Sequence, residues 1–157
     1  MSFFTKIEYF FENAVVLAAI SSFLFAQFVK LVITVVRHSR KSLRELLLVF
    51  FWKTGGMPSS HAATVSSITT SVGIMEGVTS NLFIVTLFFA LVVLRDAVGV
   101  RHASGMQAKS LNSLGRSVQT RFGIDYHTVK EVHGHKPLEV LVGCFLGFFI
   151  SAAYGYL

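Results

Sequence analysis

The sequence predicts an all-α integral membrane protein, a helical bundle of about four transmembrane helices with additional re-entrant or interfacial and amphipathic helices. Of its 157 residues, 53% are hydrophobic and only 14% are charged, and its mean hydropathy of +0.64 is too high for a soluble domain of this length. Each span needs roughly 20 apolar residues, so about four spans and their connectors fill the chain. We therefore predict a single membrane domain over residues 1–157.

The first span is predicted over residues 13–36, after a polar start that contains Lys6, Glu8 and Glu12. A cleaved signal peptide is the alternative, but acidic residues precede this apolar stretch where a signal peptide has a basic region. The second span is predicted over residues 59–76. It is rich in Ser, Thr and Ala, a composition suited to a helix buried among other helices.

The third span is predicted over residues 82–100 and the fourth over residues 137–157, each a largely apolar stretch. Basic connectors, 37–58 and 101–136, join the spans. The first connector holds seven apolar residues, 46–52, which are too few to span and indicate an interfacial or re-entrant helix. The second has apolar residues at roughly helical spacing and predicts an amphipathic helix on the membrane surface.

The distribution of basic residues predicts the orientation of the chain. Of the 14 lysines and arginines, 12 lie between Arg37 and Lys53 or between Arg95 and Lys136. The positive-inside rule then places both connectors in the cytoplasm and both termini outside. We expect an integral protein of a plasma or inner membrane, with its polar motifs gathered at the cytoplasmic face.

Charged residues interrupt two of the predicted spans. Lys30 and Arg37 are seven residues apart, so they share a helix face about 10 Å apart along the axis. The alternative is a snorkelling lysine and an ordinary interfacial arginine. Asp96 lies in an apolar helix, where an unpaired carboxylate costs about 2.5 to 3.5 kcal/mol at the bilayer centre. It supports a functional site or forms a structural salt bridge with Lys30 or Arg95.

A glycine- and proline-rich turn precedes the second span. Its glycines and proline predict a tight turn, after which Ser59 or Ser60 caps the helix and leaves backbone N–H groups pointing outwards. Such a helix start binds anions, and His61 adds a titratable proton donor. A simple capped turn with an incidental histidine is the alternative. The run is Gly55-Gly56-Met57-Pro58-Ser59-Ser60-His61.

The fourth span begins with a histidine and a carboxylate on one helix face. His135 and Glu139 are four residues apart, so the carboxylate can reach the imidazole and orient it as a nucleophile or base. Such a pair also arises by chance. A metal site that adds His61 and Asp96 is a further alternative, but the four residues lack any recognisable ligand spacing.

In this order, the motifs resemble the divergent branch of the type-2 phosphatidic acid phosphatase and vanadium haloperoxidase superfamily. The superfamily's lysine and arginine match Lys30 and Arg37 at the same spacing. The other matching stretches are Gly-Gly-Met-Pro-Ser-Ser-His ending at His61, Asp-Ala-Val-Gly-Val-Arg from Asp96 to Arg101, and Gly-His-Lys-Pro-Leu-Glu-Val from Gly134 to Val140. Four positions depart from the superfamily pattern, which has proline, glycine, aspartate and arginine where this chain has His38, Ser60, Glu139 and Val129.

The resemblance implies a phosphohydrolase that works through a histidine and needs neither metal nor cofactor. By position, His135 would attack phosphorus, Glu139 would hold its tautomer, and His61 would protonate the leaving oxygen. The arginine that is missing at Val129 could be replaced in space by Arg101, Arg116 or Lys130, and we favour Arg101 because it lies at the end of the third span. The phosphate-binding residues implied are Lys30, Arg37, Arg101, Gly56, Ser59 and Ser60.

We therefore expect a lipid phosphatase that acts on an isoprenoid or glycerolipid phosphate. The alternatives are a non-catalytic protein that binds or translocates lipid phosphates or other anions, and a structural membrane protein whose polar residues merely pair. The expected partners are the lipid-phosphate substrate and membrane lipids, without nucleic acid. A homo-oligomer is also possible, because the superfamily commonly has six spans and the spacing of Gly143 and Gly147 permits close helix packing.

Overall fold

The computed structural model describes residues 3–37, 56–131 and 134–155, and all regular structure within them is helical. This confirms the predicted all-α class. The predicted interfacial helix at 46–52 lies outside the described residues. The α-helices are Phe3–Glu12 (α1), Ala14–Arg37 (α2), Ser60–Glu76 (α3), Asn81–Arg95 (α4), Arg101–Phe122 (α5) and Pro137–Gly155 (α6), and a π-helical turn, Asp96–Val100, joins α4 to α5.

Three helical stretches in the described part of the chain are long and apolar enough to cross a membrane. They are Ala14–Val36, Asn81–Phe122 and Pro137–Gly155, and they correspond to the first, third and fourth predicted spans. The second predicted span is α3, which has 17 residues and is about 26 Å long. The protein is an integral membrane protein built from helices.

Helix α3 lies at the centre of the bundle and packs against α2, α4 and α6. Seven of its 17 residues are Ser or Thr, as its composition suggested for a buried helix. Ser66 Oγ donates to Cys144 O on α6 at 2.8 Å. Thr69 Oγ1 lies 3.2 Å from Thr86 O on α4 and also donates to its own helix. These hydroxyls tie α3 to its neighbours.

Two glycines of α6 allow its backbone to approach α3 closely. A Cβ atom at Gly143 would collide with Ser59 O, and one at Gly147 would collide with Ala63 O. The small-residue spacing noted in the sequence therefore serves a contact within the chain. Ser151, one turn after Gly147, extends this contact with a hydroxyl hydrogen bond to Ser71 and another to Ser67 O.

The polar start of the chain forms a helix of its own. Asn13 separates α1 from α2, and its Oδ1 accepts from Val15 N at 2.9 Å and from Val16 N at 3.4 Å. Asn13 therefore caps α2. The aromatic side chains Tyr9 and Phe10 of α1 are exposed, which suits a helix at the edge of a membrane.

The third span does not end at Val100, where the sequence predicted a boundary. The wide π-helical turn carries the helix on, and the Arg101 N–H donates to Asp96 O. Helix α5 then forms where the amphipathic helix was predicted, and its place on the membrane surface stays a prediction. It ends at Gly123, whose left-handed conformation (φ 68°) stops the helix while its N–H donates to Gln119 O at 3.0 Å.

Residues 123–136 run back along α5 towards the bundle, and we call them the return segment; 132 and 133 lie outside the described residues. Both the oxygen and the nitrogen of the Asn112 side-chain amide, on α5, form hydrogen bonds with this segment. Its Oδ1 accepts from Tyr126 OH at 2.8 Å and Val129 N at 2.9 Å. Its Nδ2 donates to Val129 O at 3.0 Å and Glu131 Oε1 at 2.8 Å.

Candidate functional site

Four segments that are distant in sequence meet at one end of the bundle. The Ser59 N–H before α3 donates to Glu139 O on α6 at 3.0 Å, and the His135 N–H donates to Ala97 O in the π-helical turn at 3.2 Å. The side chain of Lys30 on α2 lies beside Gly56, where a Cβ would be 3.8 Å from Lys30 Cγ. The predicted polar motifs therefore come together around one site.

His135 is fixed by its backbone while its ring has no hydrogen bond. The residue is 3% exposed, and neither Nδ1 nor Nε2 has a partner among the described residues. A buried polar group without a partner is costly, and a catalytic role or a bound water or ion is the usual reason for one.

Glu139 does not hold the His135 ring as the sequence predicted. Its Oε2 accepts from the Lys136 N–H at 3.2 Å. Because Pro137 begins α6, Lys136 is the N-cap and Glu139 is the third helical residue, the arrangement in which a glutamate caps its own helix. The predicted carboxylate–imidazole hydrogen bond is therefore wrong for the described conformation.

Burial lowers the pKa of His135 from its ordinary value of 6.5. The negative charge of Glu139 opposes this effect, whereas the positive charges of Lys30 and Arg101 and the neighbouring His61 add to it. The neutral imidazole is therefore favoured, and this is the form that acts as a nucleophile or base.

Lys30 supplies positive charge beside the imidazole. It is only 5% exposed, and its ammonium has no hydrogen bond or ion pair within the described part of the chain. Gln27, one turn earlier on α2, is also buried, and its Oε1 has no partner there. The sequence signal that marks Gln27 is an amide within an apolar span.

The turn before α3 forms the capped helix start that the sequence predicted. Gly56 has a φ of 91°, a conformation that favours glycine. Ser59 is the N-cap, and its Oγ accepts from Ala62 N at 3.4 Å. The Ser59 N–H is bound to Glu139 O, but the N–H groups of Ser60 and His61 have no acceptor among the described residues. Those two donors are the ones suited to an anion.

His61 lies in the first turn of α3 with its side chain exposed. The positive charges of Arg101 and Lys30 and the negative charge of Asp96 all act on its imidazole. This places His61 in the same electrostatic environment as His135, as expected for two histidines that share one site.

Asp96 pairs with Arg101, not with Lys30 or Arg95 as the sequence alternatives had it. Arg101 Nε donates to Asp96 Oδ2 at 2.7 Å. Residues five apart share a face in a π-helical turn, whereas in an α-helix residues three or four apart do. Ordinary helical spacing therefore did not indicate the pair of Asp96 and Arg101. Arg101 thus lies near the site with one of its donors engaged.

Three positions of the superfamily pattern stand apart from this description. The side chain of Arg37 and the residue His38 lie outside the described residues. Val129, where the superfamily has an arginine, is in the return segment and is bound through its backbone to Asn112. Among the described residues, no group of three or more His, Cys, Asp and Glu side chains is arranged to hold a metal ion.

Most of the chain matches a known protein family. The model of the divergent PAP2 family matches residues 11–150. The chain is 34% identical over 155 residues to a Bacillus subtilis (strain 168) protein called "Uncharacterized membrane protein YuiD", and the match covers 92% of this chain and 95% of the relative. No solved structure matches the chain. The match extends over nearly all of the sequence, so the chain belongs to the divergent PAP2 family.

Proposed function

We propose that the protein is a membrane phosphatase that hydrolyses a lipid phosphate, of the isoprenoid or glycerolipid class, through a phosphohistidine on His135 and without a metal ion. The observation that carries the proposal is the buried His135 ring, which has no partner on either nitrogen among the described residues and which the positive charge of the buried residue Lys30 reaches. Membership of a family related to lipid phosphatases supports it.

In the proposed reaction, a neutral nitrogen of His135 attacks phosphorus, a P–N bond forms and the P–O bond to the lipid breaks. In its protonated form, His61 gives a proton to the departing oxygen, and it takes a proton back from the water that then attacks phosphorus. The P–N bond breaks, which frees the His135 ring and releases inorganic phosphate. Lys30 and the N–H groups that begin α3 neutralise the phosphoryl oxygens, which is the main requirement of phosphoryl transfer.

Two groups would have to move for this reaction. Glu139 caps α6 in the described conformation, so holding the His135 tautomer requires rotation of its side chain. Arg101 must turn from Asp96 to contact phosphate. We expect substrate binding to favour both movements, because the phosphate attracts the guanidinium and protonation or phosphorylation of His135 attracts the carboxylate.

The test is phosphate release by the detergent-purified protein from a panel of isoprenoid and glycerolipid phosphates, with a chelator present. His135→Asn is expected to abolish release, because it removes the nucleophile. His127→Asn is the matched control, since His127 is exposed and outside the site. Release that persists in His135→Asn would contradict the mechanism.

A non-catalytic role is the second candidate, and the engagement of Glu139 and Arg101 favours it specifically. The site around His135 and Lys30 would then bind or translocate lipid phosphates without hydrolysing them. A non-hydrolysable lipid phosphonate is a suitable probe. Lys30→Gln is expected to weaken its binding about 10- to 100-fold, because a buried charged hydrogen bond contributes about 1.5–3 kcal/mol. Binding of the phosphonate without phosphate release from the lipid phosphates would identify this role. The absence of both binding and phosphate release would favour a structural membrane protein.

A further inference from the structure

A cavity lies between α5 and the return segment, and His135 is not among the residues that line it. Its volume is about 280 Å³. This is smaller than the pockets that hold drug-sized molecules, and it suits a small polar group such as a headgroup. The cavity is lined by His102, Gly105, Met106, Lys109, Glu131, Gly134 and Lys136.

The backbone on either side of His135 separates this cavity from the phosphate site. Gly134 and Lys136 both line the cavity, whereas the His135 side chain between them is buried. Gly134 lies directly against the backbone of His102, so that no side chain fits there. The return segment thus forms a wall with a different site on each side.

Among the described residues that line the cavity, two are cations and one is an anion. The ammonium groups of Lys109 and Lys136 have no ion pair in the described part of the chain. Glu131 Oε1 accepts from Asn112 Nδ2 at 2.8 Å, which fixes the carboxylate, and Oε2 has no hydrogen bond there. A ligand with both a phosphate and an ammonium group would complement this arrangement.

The position of the cavity beside α5 also suits a lipid headgroup. It adjoins α5, a helix with several apolar side chains exposed along its length, as in a helix that lies in the membrane interface. Met106 is 60% exposed and lines the cavity as well. It is therefore placed where the acyl-chain end of a headgroup would leave the cavity.

We propose that this cavity binds a zwitterionic phospholipid headgroup of the phosphoethanolamine class. Lys109 and Lys136 would bind the phosphate, and the fixed carboxylate of Glu131 would bind the primary ammonium. The site is independent of hydrolysis at His135, because its residues belong to the opposite side of the return segment.

The experiment measures the thermal stabilisation of the detergent-purified protein by short-chain phosphatidylethanolamine, phosphatidylglycerol and soluble phosphoethanolamine. Phosphatidylethanolamine is expected to stabilise the wild type at a lower concentration than phosphatidylglycerol. Glu131→Gln should remove this preference, an effect of about two- to fivefold for one exposed charge pair. The glutamine keeps an oxygen for Asn112, so the return segment stays bound.

The double substitution Lys109→Gln and Lys136→Gln should weaken the stabilisation of the protein by both lipids. Arg116 is an exposed cation elsewhere on α5, so Arg116→Gln should leave the stabilisation by both lipids unchanged.

Stabilisation by soluble phosphoethanolamine would show that the headgroup alone suffices. Stabilisation by the lipid alone would show that Met106 and the acyl chains contribute. Equal stabilisation by both lipids in the wild type, or an unchanged preference in Glu131→Gln, would overturn the proposal. Phosphate release plays no part in these measurements, so a failed phosphatase assay and a failed binding assay are distinguishable.

Discussion

At the scale of single residues, the environment of His135 favours a neutral ring. Burial lowers its pKa, and Glu139 only partly opposes this, because the charges of Lys30 and Arg101 act in the same direction as burial. Its backbone bond to Ala97 O fixes the residue without using either ring nitrogen. The imidazole is therefore held in place and available at the same time.

The lowered pKa of His135 makes stability depend on pH. Between the folded-state pKa and about 6.5, the unfolded chain binds more protons than the folded one. The free energy of unfolding therefore rises with pH through that window, and the contribution is lost as the pH falls below about 6.5. We expect the stability of the wild type relative to His135→Gln to decrease from about pH 7.5 to about pH 5 in thermal unfolding.

His127→Gln provides the comparison for this pH series, because it removes an exposed histidine from the return segment. The decrease should appear for the buried position and not for this one. A difference between the wild type and His135→Gln that stays constant with pH would contradict the inferred protonation state.

At the scale of elements, the close contact of α6 with α3 depends on glycine. Gly147→Ala would push a methyl group into Ala63 O, so we expect a loss of about 1–3 kcal/mol in the free energy of unfolding. Gly99→Ala is the control, since a Cβ at Gly99 meets nothing within 4 Å. Equal effects of the two substitutions on unfolding in detergent would refute the contact.

The packing of the return segment against α5 should depend on the hydrogen bonds of Asn112. Asn112→Ala removes four hydrogen bonds at once, and we expect a loss on the order of 2 kcal/mol, concentrated in this segment. Hydrogen exchange at the Val129 amide should become faster, because its acceptor is Asn112 Oδ1. Gln119→Ala, an exposed position on the same helix, should leave that exchange rate unchanged.

Some helix boundaries could be predicted from the sequence because local residues mark them, and others could not. The bounds of α3 were predicted closely, because a capping serine and a stretch of small residues mark them locally. The continuation of the third span into α5 was not, because the apolar stretch ends at Val100 while the π-helical turn keeps the backbone helical. Glu139 was placed on the right face, but two partners compete for its carboxylate, and spacing alone does not decide between an imidazole and a backbone N–H.

At the scale of the whole molecule, the orientation of the bundle is a prediction from the positive-inside rule. In a Cys144→Ala background, we expect Ser113→Cys to react with a membrane-impermeant thiol reagent only from the cytoplasmic side. Thr79→Cys, in the exposed turn between α3 and α4, should react only from the outer side. Labelling of both from one side would rule out the predicted four-span arrangement.

The central position of α3 also constrains how the protein enters the membrane. Its hydroxyl groups find partners on α4 and α6, and a helix of this kind gains little from contact with lipid alone. The turn at residues 77–80 joins it directly to the apolar helix α4. We therefore expect α3 to be held by α4 as a helical hairpin during synthesis until α6 packs against it.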